Sequence, residues 1–200
     1  MSQTFEPRAR ARGRRNFLLI AAMFLLPVIV VFILYYGGVW SPSGSSAKGE
    51  LISPARPLEF AGLRSADGGT AGRALFQDKW TLIYIGDGAC DPACRTALTY
   101  TRQSRIAVGK DMDRVQRVFL VTAHCCDRPY LDAEQPGLVT LDASSPEAGK
   151  LLAQFPGDRH ASIYIVDPLG NLMMRHDASQ VINKDLLSDL KKLLKLSHIG

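Results

Sequence analysis

The sequence lacks a basic surface of its own, because almost all of its excess positive charge lies at one end. Residues 1–16 contain five arginines and one glutamate and so carry +4 of the formal net charge of +5. The rest of the chain carries only +1, with charges of both signs interspersed. A nucleic-acid-binding domain needs a clustered basic face, so we expect no nucleic-acid partner. The sequence also lacks internal repeats, so no repeat architecture is expected.

Charged side chains are absent from residues 17–36, which form twenty consecutive, mostly apolar positions. A helix rises about 1.5 Å per residue, so a segment of this length spans the roughly 30 Å hydrocarbon core of a bilayer. We therefore predict one transmembrane helix over residues 17–36. Pro27 predicts a kink without interrupting the span, since proline is frequent in membrane-spanning helices.

The charges on either side of this segment predict its orientation. Five arginines precede it, whereas the first cation after it is Lys48, and cytoplasmic flanks are enriched in Lys and Arg. Residues 1–16 are therefore predicted to be a basic cytoplasmic tail, with the C-terminal domain in the periplasm. The short arginine-rich leader favours a bacterial inner membrane over a mitochondrial one. A cleaved export signal is the competing interpretation, but apolar signal segments are typically about 7–15 residues long, and no small-x-small cleavage site follows Tyr36.

The rest of the chain is predicted to be a linker and one folded domain. Residues 37–57 begin with Gly, Ser and Pro and are predicted to be a flexible linker. Residues 58–200 are long enough for a core of their own. Their patterns predict strands at 80–85, 115–122, 139–141, 162–166 and 172–175, and helices at about 94–108, at 146–155 and from Asn183. This order, β-α-β-(β)-α-β-β-α, predicts a thioredoxin-like α/β fold, a three-layer sandwich with a central mixed sheet flanked by helices.

Cysteine is scarce, and the four cysteines of the chain occur in two closely spaced pairs. Cys90 and Cys94 lie between a buried strand and the following helix, where ligand sites collect in open α/β sheets. A helix N-terminus stabilises negative charge, so a thiolate here should act as a nucleophile or a metal ligand. The spacing brings the sulfur atoms close enough for a disulfide or for joint coordination of one soft metal ion. A purely structural disulfide is the alternative.

This region resembles the Sco/SenC family of copper chaperones, which act in the assembly of cytochrome c oxidase. The resemblance rests on residues 79–86 (KWTLIYIG) leading into Cys90-x-x-x-Cys94, on residues 118–122 (VFLVT), and on His160 followed by residues 164–170 (YIVDPLG). It covers about residues 58–196, and the single N-terminal anchor agrees with it. The sequence departs from it at Asp91 and Arg95, where the family motif usually has proline.

The resemblance implies that Cys90, Cys94 and His160 bind copper, which the chain would deliver to the copper-bearing subunit of cytochrome c oxidase. Two thiolates and an imidazole suit this task, because soft sulfur ligands select Cu(I) and imidazole serves either oxidation state. The cysteines must be reduced first, since a disulfide offers no thiolate. The remaining histidines outside the cysteine loops, His176 and His198, are expected to be solvated.

Two other functions remain open at this point. In a membrane-tethered thiol-disulfide oxidoreductase, Cys90 would attack a cysteine of the partner protein and Cys94 would resolve the mixed disulfide. That function requires no histidine. A scaffolding protein that keeps the fold without the chemistry is the third possibility.

The second cysteine pair also has more than one interpretation. His124, Cys125 and Cys126 follow the strand at residues 115–122, which in a thioredoxin-like fold adjoins the loop of Cys90. They are expected to supply extra metal ligands or a resolving thiol, or else to be a structural element.

Overall fold

A computed structural model describes residues 7–36, 47–65, 68–179 and 183–197 of the chain. The strands are β1 (Glu50–Pro57), β2 (Leu63–Ser65), β3 (Thr70–Ala71), β4 (Trp80–Gly86), β5 (Val115–Val121), β6 (Leu138–Asp142), β7 (Ser162–Val166) and β8 (Asn171–Asp177). The helices are α1 (Pro7–Tyr36), α2 (Pro92–Ala107), α3 (Arg128–Glu134), α4 (Pro146–Leu152) and α5 (Asn183–Leu196). The chain divides into two compact units, Met1–Ser45 and Ser46–Gly200.

The first unit contains the long helix α1. Its segment Gly13–Leu34 has a mean hydropathy of 3.2, so it is long and apolar enough to cross a membrane. The predicted apolar helix over residues 17–36 is confirmed as a helix, and Pro27 lies inside it. It begins earlier than predicted, at Pro7, because the intervening arginines and alanines are strong helix formers.

The second unit is built on one mixed sheet with the strand order β1-β8-β7-β4-β5-β6-β2-β3. The central strands β4, β5 and β6 run parallel to each other, whereas the remaining neighbours pair antiparallel. Since β4 is buried along its whole length, its continuous apolar run fits a central strand covered on both faces. Gly86 is paired with Val121, so the carboxyl ends of β4 and β5 lie side by side at the same end of the sheet.

Two hydrophobic clusters cover the two faces of this sheet. One cluster joins alternate residues of β4 and β5 to α2 and α5, including Leu82, Phe119, Leu98 and Leu190. The other joins the intervening strand residues to α4 and the turns around it, including Ile83, Leu120, Leu151 and Phe155. The predicted thioredoxin-like class, a mixed sheet flanked by helices in three layers, is therefore confirmed.

The prediction of a linker over residues 37–57 is wrong in its second half. Glu50–Pro57 form the edge strand β1, which pairs antiparallel with β8, so the folded unit begins before residue 58. Most side chains of β1 are exposed, so it lacks the alternating apolar pattern that predicts a strand. Its prolines are typical of an edge strand. The structure does not describe residues 37–46.

Four further elements differ from the predictions. The short strands β2 and β3 form a small hairpin at the other edge of the sheet, and α3 is an additional helix capped by Asp127. Helix α4 ends at Leu152 rather than at Phe155, since the next residues form a turn that buries the Phe155 ring. The other predicted strands and helices lie within two residues of the observed ones.

The prediction that His176 is solvated is also wrong. His176 on β8 is 2% exposed and lies 3.6 Å from the carboxylate of Asp189 on α5, which is 1% exposed. The same carboxylate accepts hydrogen bonds from the backbone N–H groups of Lys48 and Gly49, at 2.7 and 2.8 Å. Burial lowers the pKa of His176, although Asp189 and Asp185 oppose this shift. The Asp189 carboxylate holds the beginning of the folded unit against α5. His198 lies outside the described residues.

Candidate functional site

The loop from residue 87 to residue 91, here called the site loop, connects the end of β4 to α2. Within this loop, the backbone N–H of Cys90 donates to the carbonyl of Asp87 at 3.1 Å. Cys90 has a left-handed φ of 46°. Asp91 caps α2, because its side chain accepts a hydrogen bond from the N–H of Cys94 at 2.8 Å. Pro92 then begins the helix with a residue whose φ is already helical. The aspartate that departs from the family motif thus has a local structural role.

Cys90 and Cys94 are joined by a disulfide, with their Cα atoms 5.1 Å apart. Both cysteines are buried, at 2% and 3% exposure, and belong to the cluster between the sheet and α2. Their sulfur atoms therefore lie within one turn of a helix N-terminus in an apolar environment. The structure represents the oxidised state of this pair.

The three predicted copper ligands reach one cavity. Cys90, Cys94 and His160 all line a cavity of about 360 Å³ beside the end of β4. The other lining residues are Tyr84, Gly86, Asp87, Ala89, Asp91 and Ala93. The fold thus brings a histidine that is distant in sequence to the two cysteines.

Hydrogen bonds on both sides hold the backbone of His160. Its N–H donates to the Asp158 side chain at 3.1 Å, and its carbonyl accepts from the hydroxyl of Tyr84 at 2.8 Å. Burial, with smaller contributions from Asp91 and Asp158, raises the pKa of Tyr84 to about 12. Tyr84 therefore remains a neutral donor at physiological pH. The imidazole of His160 itself is exposed.

A second loop, residues 122–127, lies directly against the site loop and is here called the cysteine-pair loop. The N–H of Gly88 donates to the carbonyl of Ala123 at 2.8 Å, and the carbonyl of Gly88 accepts from the N–H of Asp127 at 2.8 Å. A Cβ atom on Gly88 would lie 2.7 Å from the Cα of Cys125. The close approach of the two backbones therefore requires glycine at this position.

Cys125 and Cys126 of this loop form a disulfide with each other. Cys125 is exposed, whereas Cys126 is half-buried and packs against the cluster that contains Cys90 and Cys94. With both pairs oxidised, the described residues contain no assembled group of three metal-ligating side chains. Reduction is thus the first requirement for metal binding at either pair.

His124 forms a pair with Asp87 at the rim of the site. The Nδ1 atom of His124 lies 2.7 Å from Oδ2 of Asp87, and both side chains are exposed. The hydrogen bond to Asp87 raises the pKa of His124. The pKa of Asp87 is lowered by the N–H of Ala89, by this hydrogen bond and by the charges of His124 and His160. His124 is therefore held at the junction of the two loops and does not line the cavity.

Arg95 bridges the two loops and was not identified as a site residue from the sequence. Its Nε donates to the carbonyl of Cys90 at 3.2 Å, and its Nη2 lies 2.8 Å from the carboxylate of Asp127. The guanidinium also lies 4.5 Å from the ring centre of Tyr130. The only sequence signal for this role was a cation at the position where the family motif has proline. Arg95 places a permanent positive charge beside the carbonyl of Cys90.

Comparison with known families identifies one match. The family described as the transmembrane-like, thioredoxin-like, C-terminal domain matches residues 80–197. The matched region begins at β4 and ends after α5, so it includes both cysteine pairs and His160. No curated protein matches the chain.

Several solved structures share the fold. The apo Sco1 protein from Thermus thermophilus is 23% identical, covers 75% of this chain and 99% of its own, and has a TM-score of 0.57. Bradyrhizobium japonicum ScoI with copper bound is 22% identical, covers 69% and 98% of the two chains, and has a TM-score of 0.52. Yeast Sco1 with copper bound is 15% identical, covers 77% and 96%, and has a TM-score of 0.59. At these identities the similarity shows a common fold.

Proposed function

The chain belongs to the transmembrane-like, thioredoxin-like family, and on this premise we propose that it is a divergent Sco-type copper chaperone. In this proposal, α1 anchors the chain in a bacterial inner membrane and the second unit works in the periplasm. Copper is its cargo, which it delivers to the copper-bearing subunit of cytochrome c oxidase. The observation that carries the proposal is the convergence of Cys90, Cys94 and His160 on one cavity.

The donor set fits copper. Two thiolates select Cu(I), and an imidazole from a separate element completes a three-ligand site. The N-terminus of α2, a helix of 16 residues, stabilises the negative charge of the reduced cysteines. Two of the structurally similar proteins, from B. japonicum and yeast, contain bound copper, which supports the same cargo for this fold.

The exposure of the three side chains suggests an order of release. Cys90 and Cys94 are buried, whereas the His160 imidazole is exposed and only its backbone is fixed by hydrogen bonds. A ligand from the partner protein can therefore replace His160 first, before either thiolate is displaced. The cargo then passes to the partner while the cysteines remain shielded from solvent.

A thiol-disulfide oxidoreductase is the second candidate function, and the Cys90–Cys94 disulfide is the observation that favours it. Reduction of this disulfide by two electrons yields the dithiol that would then reduce cysteines of the partner protein. This activity depends on the two sulfur atoms and needs no imidazole. The two functions therefore differ in their requirement for His160.

Copper binding by the full chain in detergent tests the proposal. In a Cys125→Ser/Cys126→Ser background, the reduced protein is loaded anaerobically with Cu(I), and bound copper is compared with that of Cys90→Ser, His160→Ala and His124→Ala. We expect about one copper per chain in the background protein, no binding in Cys90→Ser, and affinity weakened about tenfold or more, or about 1.4 kcal/mol, in His160→Ala. His124→Ala is the matched control, because this exposed histidine does not line the cavity. Absence of copper binding together with ready dithiol exchange would instead establish the oxidoreductase.

A further inference from the structure

The burial of the Cys90–Cys94 disulfide creates a problem of access. The disulfide must be reduced before either proposed function begins, yet both cysteines are almost fully buried. The adjoining cavity of about 360 Å³ admits an ion or a small molecule, whereas attack by a protein reductant on the buried sulfur atoms is sterically hindered. A more exposed sulfur atom nearby would give such a reductant an easier point of attack.

Cys125 offers such a sulfur atom, since it is exposed and already bonded to Cys126. We propose that Cys125 and Cys126 form a second redox pair, which accepts electrons from a dithiol protein and passes them to the Cys90–Cys94 disulfide. This inference rests on the proposed function in one respect, because it assumes that Cys90 and Cys94 work in their reduced state. It assigns the cysteine-pair loop the role of an electron relay.

The contacts between the two loops support this role. Backbone hydrogen bonds link Gly88 to Ala123 and to Asp127, on either side of the cysteine pair. Gly88 lies two residues before Cys90 and leaves no room for a side chain between the loops. Cys126 is half-buried and packs against the hydrophobic cluster that contains Cys90 and Cys94.

The charges at the junction also favour thiol exchange. The guanidinium of Arg95 contacts the carbonyl of Cys90 and the carboxylate of Asp127, so its positive charge lies between the two pairs. His124 immediately precedes Cys125, and its pKa is raised by Asp87. Positive groups near a cysteine increase the fraction present as the reactive thiolate. Asp87 and Asp127 partly offset these charges.

The relay proceeds by two exchanges that conserve atoms and electrons. A thiolate of the dithiol protein attacks the sulfur of Cys125, the Cys125–Cys126 bond breaks, and Cys126 leaves as a thiolate. The second thiol of that protein then displaces Cys125, and the dithiol protein departs as a disulfide, having donated two electrons.

The second exchange transfers these electrons to the site. The thiolate of Cys126 attacks the sulfur of Cys90, which breaks the Cys90–Cys94 bond and releases the thiolate of Cys94 at the N-terminus of α2. The thiolate of Cys125 then attacks Cys126, which restores the Cys125–Cys126 disulfide and releases the thiolate of Cys90. The two thiol protons that the dithiol protein loses balance the protons that Cys90 and Cys94 take up when their thiolates become thiols.

The rate of reduction tests the relay in the full chain in detergent. Reduced thioredoxin serves as the dithiol protein, and differential alkylation with mass spectrometry measures the reduction of Cys90–Cys94. We expect the Cys125→Ser/Cys126→Ser variant to be reduced about tenfold or more slowly than the wild type, because an intramolecular exchange is replaced by a hindered bimolecular one. A small phosphine, which enters the cavity directly, should reduce both proteins at similar rates and so controls for folding of the site. Equal rates with thioredoxin would overturn the proposal.

A trapping experiment tests the transfer step itself. The variant Cys94→Ser/Cys125→Ser retains only Cys90 and Cys126, and we expect mild oxidation to join them in an intramolecular disulfide identified by peptide mass spectrometry. The matched variant Cys90→Ser/Cys126→Ser retains the other two cysteines and should remain mostly unpaired. Failure of the first variant to form the disulfide would show that Cys126 does not reach Cys90.

Copper binding separates this inference from the proposed function. If Cys125 and Cys126 do not speed reduction of the Cys90–Cys94 disulfide while the reduced protein binds copper, the inference alone is refuted. An intact relay in a protein that binds no copper would refute the chaperone function alone.

Discussion

Replacing Gly88 by alanine tests whether the close contact between the site loop and the cysteine-pair loop stabilises the folded unit. A Cβ atom at this position would lie 2.6 Å from the carbonyl oxygen of His124, 2.7 Å from the Cα of Cys125 and 2.9 Å from a methyl group of Val121. The first two contacts are with backbone atoms, so they cannot be relieved by rotation of a side chain. One of the loops must move.

The expected magnitude follows from these contacts. Overpacking a close-packed region typically costs about 1–3 kcal/mol, whereas a glycine-to-alanine change stabilises by about 0.4–1 kcal/mol where the backbone permits it. We therefore expect Gly88→Ala to lower the free energy of unfolding by about 1–2 kcal/mol. Gly69→Ala is the matched control, since a Cβ atom at Gly69 would meet no atom within 4 Å. It should leave the stability unchanged or raise it slightly.

Urea denaturation of the full chain in detergent measures both variants, with tryptophan fluorescence, to which the buried Trp80 contributes, as the probe. The two variants should differ by about 2 kcal/mol, which is well outside the uncertainty of a comparison at constant m-value. The Gly88→Ala variant should also show slower electron transfer from Cys126 to Cys90, because the loops are displaced. Equal stability of the two alanine variants would refute the contact between the loops.

Three further predictions concern other parts of the folded unit, and urea denaturation checks each of them. Asp91→Ala removes the cap of α2 and should lower the stability by about 1 kcal/mol, whereas Asp91→Asn retains an accepting oxygen and should have little effect. Arg117 is 1% exposed and donates to Gln135 and Pro136 at 2.8 and 2.7 Å. The two bonds use different guanidinium nitrogens, whose geometry the single ammonium of lysine does not reproduce, so Arg117→Lys should cost about 1–3 kcal/mol. Burial lowers the pKa of His176 in the folded state, so the unfolded chain binds a proton first as the pH falls. Stability should be full above about pH 6.5 and decrease below it by up to about 1.4 kcal/mol per pH unit, and His176→Gln should remove this dependence.

Local patterns predicted the strands and helices that bury a strong hydrophobic face. The continuous apolar run of β4 and the leucines of α5 were enough to predict these two elements from their own residues. Strand β1 gave no such signal, because its exposed residues become a strand only through hydrogen bonds to β8. The burial of His176 was missed for the same reason, since its partner Asp189 comes from another element.

The site was predictable where it depended on a motif and not where it depended on contacts between loops. The resemblance identified Cys90, Cys94 and His160, which the fold brings to one cavity. The bridge formed by Arg95 depends on the approach of the cysteine-pair loop to the site loop. No sequence pattern indicated that the two loops approach each other so closely at Gly88.

The position of β1 determines how a force on the beginning of the folded unit reaches the site. Glu50 pairs with Arg175 on β8, Arg175 with Tyr164 on β7, and Tyr164 with Ile83 on β4. Glu50 therefore lies level with the middle of β4, three strand spacings or about 14 Å across the sheet from Ile83. The Asp189 carboxylate ties Lys48 and Gly49 to α5, so a force applied there is borne first by α5 and the edge strand, before it reaches β4 through β8 and β7.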